Sequence, residues 1–151
     1  MTDDFCLLRG RLKVLSVFIS YSSNDLVKVE RLAEALRHEQ GMAVWLDTTN
    51  IYPGDDFLEE MKKGIRAADK IIFCLSPSFN KKPPVSWVKK ELKMAMLREN
   101  ETGKGIIIPV RIKSGGTIPE EIGTKAYADL STKNRWNRNL PRLIAAIRRT
   151  A

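Results

Sequence analysis

The segment Ser86-Trp87-Val88-Lys89-Lys90-Glu91-Leu92-Lys93-Met94-Ala95-Met96 carries the clearest chemical content in the chain. On a helix advancing ~100° per residue, with Trp87 at zero, Ala95 falls near ~80°, Val88 near ~100°, Leu92 near ~140° and Met96 near ~180°. Lys89, Lys90 and Lys93 occupy the opposite side, between ~200° and ~300°. Glu91 lands near ~40°, between Trp87 and the aliphatic stripe. It is the one charged side chain of this stretch set inside the apolar arc. A carboxylate there is paired, raised in pKa, or lining a cavity, and an acid so perturbed beside a crevice is a candidate functional group. A plainer reading stands beside it: Trp87 is a core residue, and Glu91 reaches a backbone donor or an arginine at the rim of the arc.

The elements that must position this carboxylate are legible from hydrophobic patterning. Leu15-Ser16-Val17-Phe18-Ile19 reads as a buried strand, stopped by the polar cluster Ser20-Tyr21-Ser22-Ser23-Asn24-Asp25, which can cap the helix that follows. That helix sets Leu26, Val29, Leu32, Ala33 and Leu36 on one face and ends at Gly41. Met42 to Leu46 is a second strand, followed by a loop with a Pro53-Gly54 turn signal. Asp56 and Glu59 stand at capping-box spacing for a helix through about Ala68. Lys70 to Leu75 is the third strand, followed by a Pro-rich loop opening with Ser76-Pro77-Ser78 and a helix begun by Ser86. Ile106 to Val110 is a fourth strand, Ala126 to Leu130 a weaker fifth, and Leu140 to Arg149 a final amphipathic helix. This alternation implies an α/β fold with a parallel sheet covered on both faces. Pro109 removes a ladder donor, so it is expected near the strand's end or at a bulge.

In such a fold ligands bind outside the carboxyl ends of the strands, where strand order reverses. Three loops therefore matter: Ser20 to Asn24, Asp47 to Asp56, and Ser76 to Val85. The helix carrying Glu91 directly follows the third strand, which sets that residue about one turn inside the crevice. Other nucleotide-binding designs do not fit. Gly103-Lys104-Gly105 precedes a strand instead of opening a helix, so it is no Walker loop. Serines stand where a Rossmann fold needs its glycine fingerprint, and the acids around Asp47 are too few for a phosphoacceptor site.

At 151 residues the chain has the size of one domain, with 43% hydrophobic and 29% charged residues, as in ordinary soluble proteins. No apolar run reaches membrane-spanning length, and Lys13 interrupts the N-terminal stretch too early for a signal peptide. Cys6 and Cys74 lack metal or redox spacing, which indicates a reducing, cytoplasmic compartment. The single His38 excludes a histidine-based metal site. The formal charge of +8 attracts phosphates of every kind. Its lysines and arginines are spread along the chain without interleaved aromatics, which reads as solvated faces and disfavours a nucleic-acid binder.

Several segments together carry a family resemblance. Val17-Phe18-Ile19-Ser20-Tyr21-Ser22 resembles the opening box of TIR (Toll/interleukin receptor) domains. Val44-Trp45-Leu46-Asp47, followed by Pro53-Gly54-Asp55-Asp56-Phe57, is similar to the family's second strand and BB loop. Trp87-x-x-x-Glu91 matches the motif that holds the catalytic glutamate of TIR enzymes. Leu75-Ser76-Pro77-Ser78-Phe79 and Trp136 resemble the family as well. The likeness runs from about Val14 to Arg149, and the short form resembles bacterial members more than animal receptors.

The resemblance implies a flavodoxin-like, five-stranded parallel sheet with helices on both faces, spanning residues 13–150 behind an N-terminal extension, 1–12. It also implies one of two functions. One is NAD+ hydrolysis or cyclisation by assembled oligomers, in immune or anti-phage defence, triggered by an attached sensor or partner protein. The other is a non-catalytic adaptor whose domains only associate with one another. For the enzyme, Glu91 carries over as the catalytic residue. Tyr21, Ser22, Ser23 and Asn24 correspond to the nucleotide-contacting wall, and Trp45, Asp47, Phe57 and Trp87 are expected around the substrate. The gating loop runs from roughly Thr48 to Phe57, with Ile51, Tyr52, Pro53, Gly54, Asp55 and Asp56 available for assembly. NAD+ is then substrate, with no cofactor or metal required.

Overall fold

Alternation along the first strand decides which side of the sheet each residue serves. In the computed structural model, which describes residues 14–46, 53–55, 57–81, 87–123 and 125–149, this strand, β1, spans Leu15–Ser20. Val17 and Ile19 point to one face and Phe18 to the other, and all three are fully buried. β2 (Met42–Leu46), β3 (Lys70–Leu75), β4 (Ile107–Arg111) and β5 (Ala128–Asp129) complete a sheet whose neighbouring strands are all parallel. Its order is β2-β1-β3-β4-β5, so strand order reverses between β1 and β3. There Ser20, the last residue of β1, lies opposite Phe73. This is the arrangement expected of a flavodoxin-like sheet.

Five helices cover it: α1 (Leu26–Arg37), α2 (Phe57–Ala67), the single turn α3 (Pro77–Asn80), α4 (Trp87–Thr102) and α5 (Lys133–Arg148). On one face Val29, Leu32 and Leu36 of α1 and Leu143 and Ile147 of α5 pack on Val17, Ile19, Ile72, Cys74 and Val110. On the other, Ile65 of α2, Phe79 of α3 and Ala95 of α4 pack on Phe18, Ile71, Phe73 and Leu75. Each large buried side chain contributes about 1.5–3 kcal/mol. Gly64 brings α2 against the sheet: a Cβ there would stand 2.8 Å from the Phe18 ring and 3.2 Å from that of Trp45. A glycine inside a helix costs about 1 kcal/mol in propensity, offset here by the close approach.

The final helix differs from the sequence-based expectation, beginning at Lys133 instead of about Leu140. The Thr132 hydroxyl caps it by accepting from the Arg135 N–H at 3.2 Å, and Trp136 and Leu140 extend its apolar stripe toward the N-terminus. Pro141 sits inside the helix and masked this continuity in the sequence. The loop after β3 also contains a helical turn, because Ser76 accepts from the Phe79 N–H at 3.0 Å and Pro77 occupies a first-turn position. The weak fifth strand is reduced to two residues.

Pro109 sits mid-strand, opposite Phe73, rather than at the strand's end. The Ile71 N–H donates to the Ile106 carbonyl at 2.9 Å and the Ile112 N–H to that of Leu75 at 3.0 Å, so even-numbered residues of β4 bond toward β3. Leu130 donates to the Arg111 carbonyl at 2.9 Å, so odd-numbered ones turn toward β5. β5 begins only opposite Val110. The donor that Pro109 lacks therefore falls on a stretch of edge that β5 does not reach. On that same edge the Glu99 carboxylate of α4 accepts from the Ile107 N–H at 2.7 Å, and it accepts also from Ile106 at 2.7 Å.

Candidate active site

Three chain segments meet at the C-terminal tips of β1, β3 and β4. After β1, Ser23–Asp25 forms a 3-10 turn, and Asp25 does not cap the helix behind it. Its carboxylate is instead buried, accepts a short hydrogen bond from the Ser76 hydroxyl at the tip of β3, and faces Lys113 Nζ at 3.7 Å beyond β4. Ser76 in turn holds α3 through its bond from Phe79. A buried charge gains most when it is both paired and hydrogen-bonded, and this one joins all three loops. Gly116 tightens the same junction, since a Cβ there would lie 2.6 Å from the Leu75 carbonyl and 2.7 Å from the Ser76 nitrogen. In the sequence Asp25 is a lone acid in a cap-forming cluster, which gave no signal for this role.

The sequence-derived wall residues separate into different environments. Asn24 spans the crevice, its amide donating to the Ser78 hydroxyl at 3.3 Å, and Ser23 is exposed beside it. Ser22 is buried, and its carbonyl accepts from the Asp25 N–H at 2.8 Å. Tyr21 is 2% exposed and packs in the core shared with α1 and α5, away from α4. Trp45 packs against the Phe18 and Ile65 core, with a buried indole N–H that has no hydrogen-bond partner among the described residues. Pro53, Gly54 and Asp55 form an exposed turn with Gly54 at φ +96°, in the left-handed region glycine favours. Asp47, Ile51, Tyr52 and Asp56 lie outside the described residues, as do the extension 1–12 and Ser86.

Ser20 opens the first crevice loop expected from the sequence, but the sequence assigned it no role of its own. It shares its strand parity with Phe18 and so faces the α2 and α4 side of the sheet. Its hydroxyl is fully buried and has no hydrogen-bond partner among the described residues. A serine ending the apolar run Val17-Phe18-Ile19 at the point of strand reversal was the available signal.

Phe57 opens α2, Trp87 opens α4, and Glu91 lies one turn into α4; the description of these three residues extends to their backbone. The helix itself fixes the phase and height of position 91. Ala95, four residues on, is fully buried, whereas Lys93 and Leu97 are exposed. Arg98, seven residues on, donates to the carbonyls of Ile65, at 2.7 Å, and of Ala68 where α2 ends. Position 91 lies four residues before Ala95 and seven before Arg98 along α4. Glu99 marks the foot of β4 through Ile106 and Ile107. With a rise of ~1.5 Å per residue, position 91 stands ~12 Å higher, about the length of a five-residue strand. Burial pushes the Glu99 carboxyl up, but the two backbone donors and the Lys125 ammonium at 3.0 Å outweigh it and hold it below its ordinary range. Glu99 is therefore a fixed structural anion and is spoken for.

Comparison with known proteins agrees with this geometry. A family model described as "TIR domain" matches residues 17–144. The 2' cyclic ADP-D-ribose synthase BtTIR of Bacteroides thetaiotaomicron is 36% identical over 99 residues, 65% of this chain and 33% of that protein. The NAD(+) hydrolase TcpA of a Theionarchaea archaeon is 35% identical over 95 residues, 62% of this chain and 27% of that protein. The chain thus spans a third or less of the length of these relatives. Among solved structures, the TIR domain of the Toll-related receptor TRR-2 from Hydra magnipapillata covers 88% of this chain and 98% of its own, with TM-score 0.71 and 22% identity. A prokaryotic SEFIR domain covers 89% and 99%, with TM-score 0.65 and 21% identity. The TIR domains of the activated Roq1 resistosome cover 64% and 57%, with TM-score 0.51 and 25% identity.

Proposed function

This chain belongs to the TIR domain family, and we propose that it cleaves the bond between ribose and nicotinamide in NAD+, with Glu91 as the catalytic carboxylate. The observation that carries the reading is the pair of relatives above: one is named for hydrolysis of NAD(+), the other for synthesis of a cyclic ADP-ribose. The Trp87-x-x-x-Glu91 motif, with position 91 one turn into α4, supports it.

The chemistry suits a single acid. In NAD+ the anomeric carbon is bonded to a cationic pyridinium nitrogen. When that bond breaks, its electron pair goes to the nitrogen and nicotinamide leaves neutral. No general acid is needed, unlike ordinary glycoside hydrolysis with its two carboxyl groups. What remains is the positive charge growing on the ribose, which a carboxylate facing the ring stabilises in a water-poor cleft. Water then adds to the anomeric carbon and releases a proton, giving ADP-ribose; attack from within the same molecule gives a cyclic product instead. Asn24, the serines at 20, 22 and 23, and the backbone of the first turn are donors suited to the diphosphate and ribose hydroxyls. The wider reading is activation by self-association in cytoplasmic defence signalling, with a sensor segment or partner providing the trigger.

Nicotinamide release at high protein concentration, or on a templating surface, tests this directly. Turnover by the wild type that falls at least ~100-fold in Glu91→Ala supports the assignment. Turnover in neither protein, in any assembled state, would instead identify a non-catalytic association module.

A further inference from the structure

On the opposite face of the sheet from α4, beyond β4, a cleft of 570 Å³ lies between the short strand β5 and the C-terminal half of α5. Its floor is Ile108 with the small side chains of Ala128, Ala145 and Ala146, and Tyr127, Arg142 and Arg149 stand around it. A volume in this range is that of small-molecule sites. The acid that borders it, Asp129, is already committed to Arg111 at 3.3 Å and Arg135 at 3.0 Å. Arg142 and Arg149, by contrast, have no carboxylate partner among the described residues, and both are exposed. Arg142 lies in the C-terminal half of α5, a helix without a single acidic residue, and Arg149 follows immediately after its end. The Tyr127 ring remains 42% exposed even with the Arg111 guanidinium stacked 5.0 Å from its centre.

We infer that this cleft binds a phosphate ester carrying a flat heteroaromatic base, of mononucleotide size. Guanidinium groups match phosphate oxygens in charge and in planar donor geometry. The exposed tyrosine ring provides a stacking surface for the base, and the alanine floor leaves room beneath it. The formal charge of +8 draws such anions from solution. The site lies apart from the strand tips, so the inference stands whether or not the chain cleaves NAD+.

Adenosine monophosphate is a suitable probe because it holds no nicotinamide to release. In an amide NMR titration it should shift the signals of residues 127–129 and 142–149. The double substitution Arg142→Ala, Arg149→Ala should weaken that response about tenfold or more while nicotinamide release stays at the wild-type rate. Tyr127→Leu should weaken binding of adenosine monophosphate but leave that of inorganic pyrophosphate unchanged. Three results would overturn the inference: no shifts in these segments at millimolar nucleotide, shifts equal in the double variant, or the same affinity for inorganic phosphate, which would mean an adventitious ion only.

Discussion

At the scale of single residues, Glu99 of α4 illustrates the structural use of a carboxylate. Glu99 is enclosed by donors from Ile106, Ile107 and Lys125. Its folded pKa lies below the ordinary 4.5, so its stabilisation is complete above that value and is lost as pH falls through the lower, folded one. Asp129 behaves alike: burial raises its pKa, but Ser131, Arg135 and Arg111 outweigh this and hold it below 3.8. Glu99→Gln is expected to cost about 1.5–3 kcal/mol at neutral pH and to flatten the loss of stability with acid, measured by denaturant unfolding across pH 7 to 3. A variant with the wild-type acid sensitivity would contradict the account of this anchor. Ser20 makes the reverse prediction. Its hydroxyl is buried without a partner among the described residues, so Ser20→Ala should leave the melting temperature unchanged or slightly raised. If that hydroxyl meets the ribose or diphosphate of NAD+, kcat/KM should fall about tenfold in the same variant. Lower stability with unchanged kinetics would make Ser20 a purely structural group.

At the scale of elements, close approach constrains the fold more tightly than propensity does. Gly64→Ala places a methyl 2.8 Å from Phe18, and it should destabilise by about 1–3 kcal/mol although alanine is the better helix former. A chemical-unfolding midpoint at or above wild type would show that the α2 contact yields easily. Elements with strong period-2 or helical patterning were legible in the sequence: β1 to β3, α1 and α2 stand within a residue or two of their expected positions, apart from the end of α1. The misread stretches share a cause. Pro141 and the polar Lys133 to Asn139 run concealed the first half of α5, and the Ser76 cap with Pro77 read as loop rather than as helix start. In the site, Asn24 was recognisable as a crevice residue from its place after β1. The roles of Asp25 and Ser20 were not legible, because a buried ion pair and an orphaned hydroxyl arise from tertiary contacts between loops 50 or more residues apart. Tyr21, assigned to the ligand wall, is buried in the cluster shared with α1 and α5, which the sequence did not show.

At the scale of the whole molecule, a parallel sheet covered on both faces followed from the alternation of elements and its flavodoxin-like form from the family resemblance, while the partners of the chain followed from neither. The proposed self-association is tested at the exposed Pro53-Gly54-Asp55 turn. If activity depends on assembly, nicotinamide release per mole of protein should rise with concentration and then level off, and Asp55→Lys should shift that rise to higher concentration. Specific activity independent of dilution over a hundredfold range would remove assembly from the mechanism.

The measurement bearing most directly on the central claim is the rate of nicotinamide release from NAD+ by wild type, Glu91→Gln and Glu91→Ala, each with its melting temperature. The account predicts turnover by the wild type, a loss of at least ~100-fold in both variants, and melting within a few degrees of wild type for both. Equal turnover in the three folded proteins would contradict it.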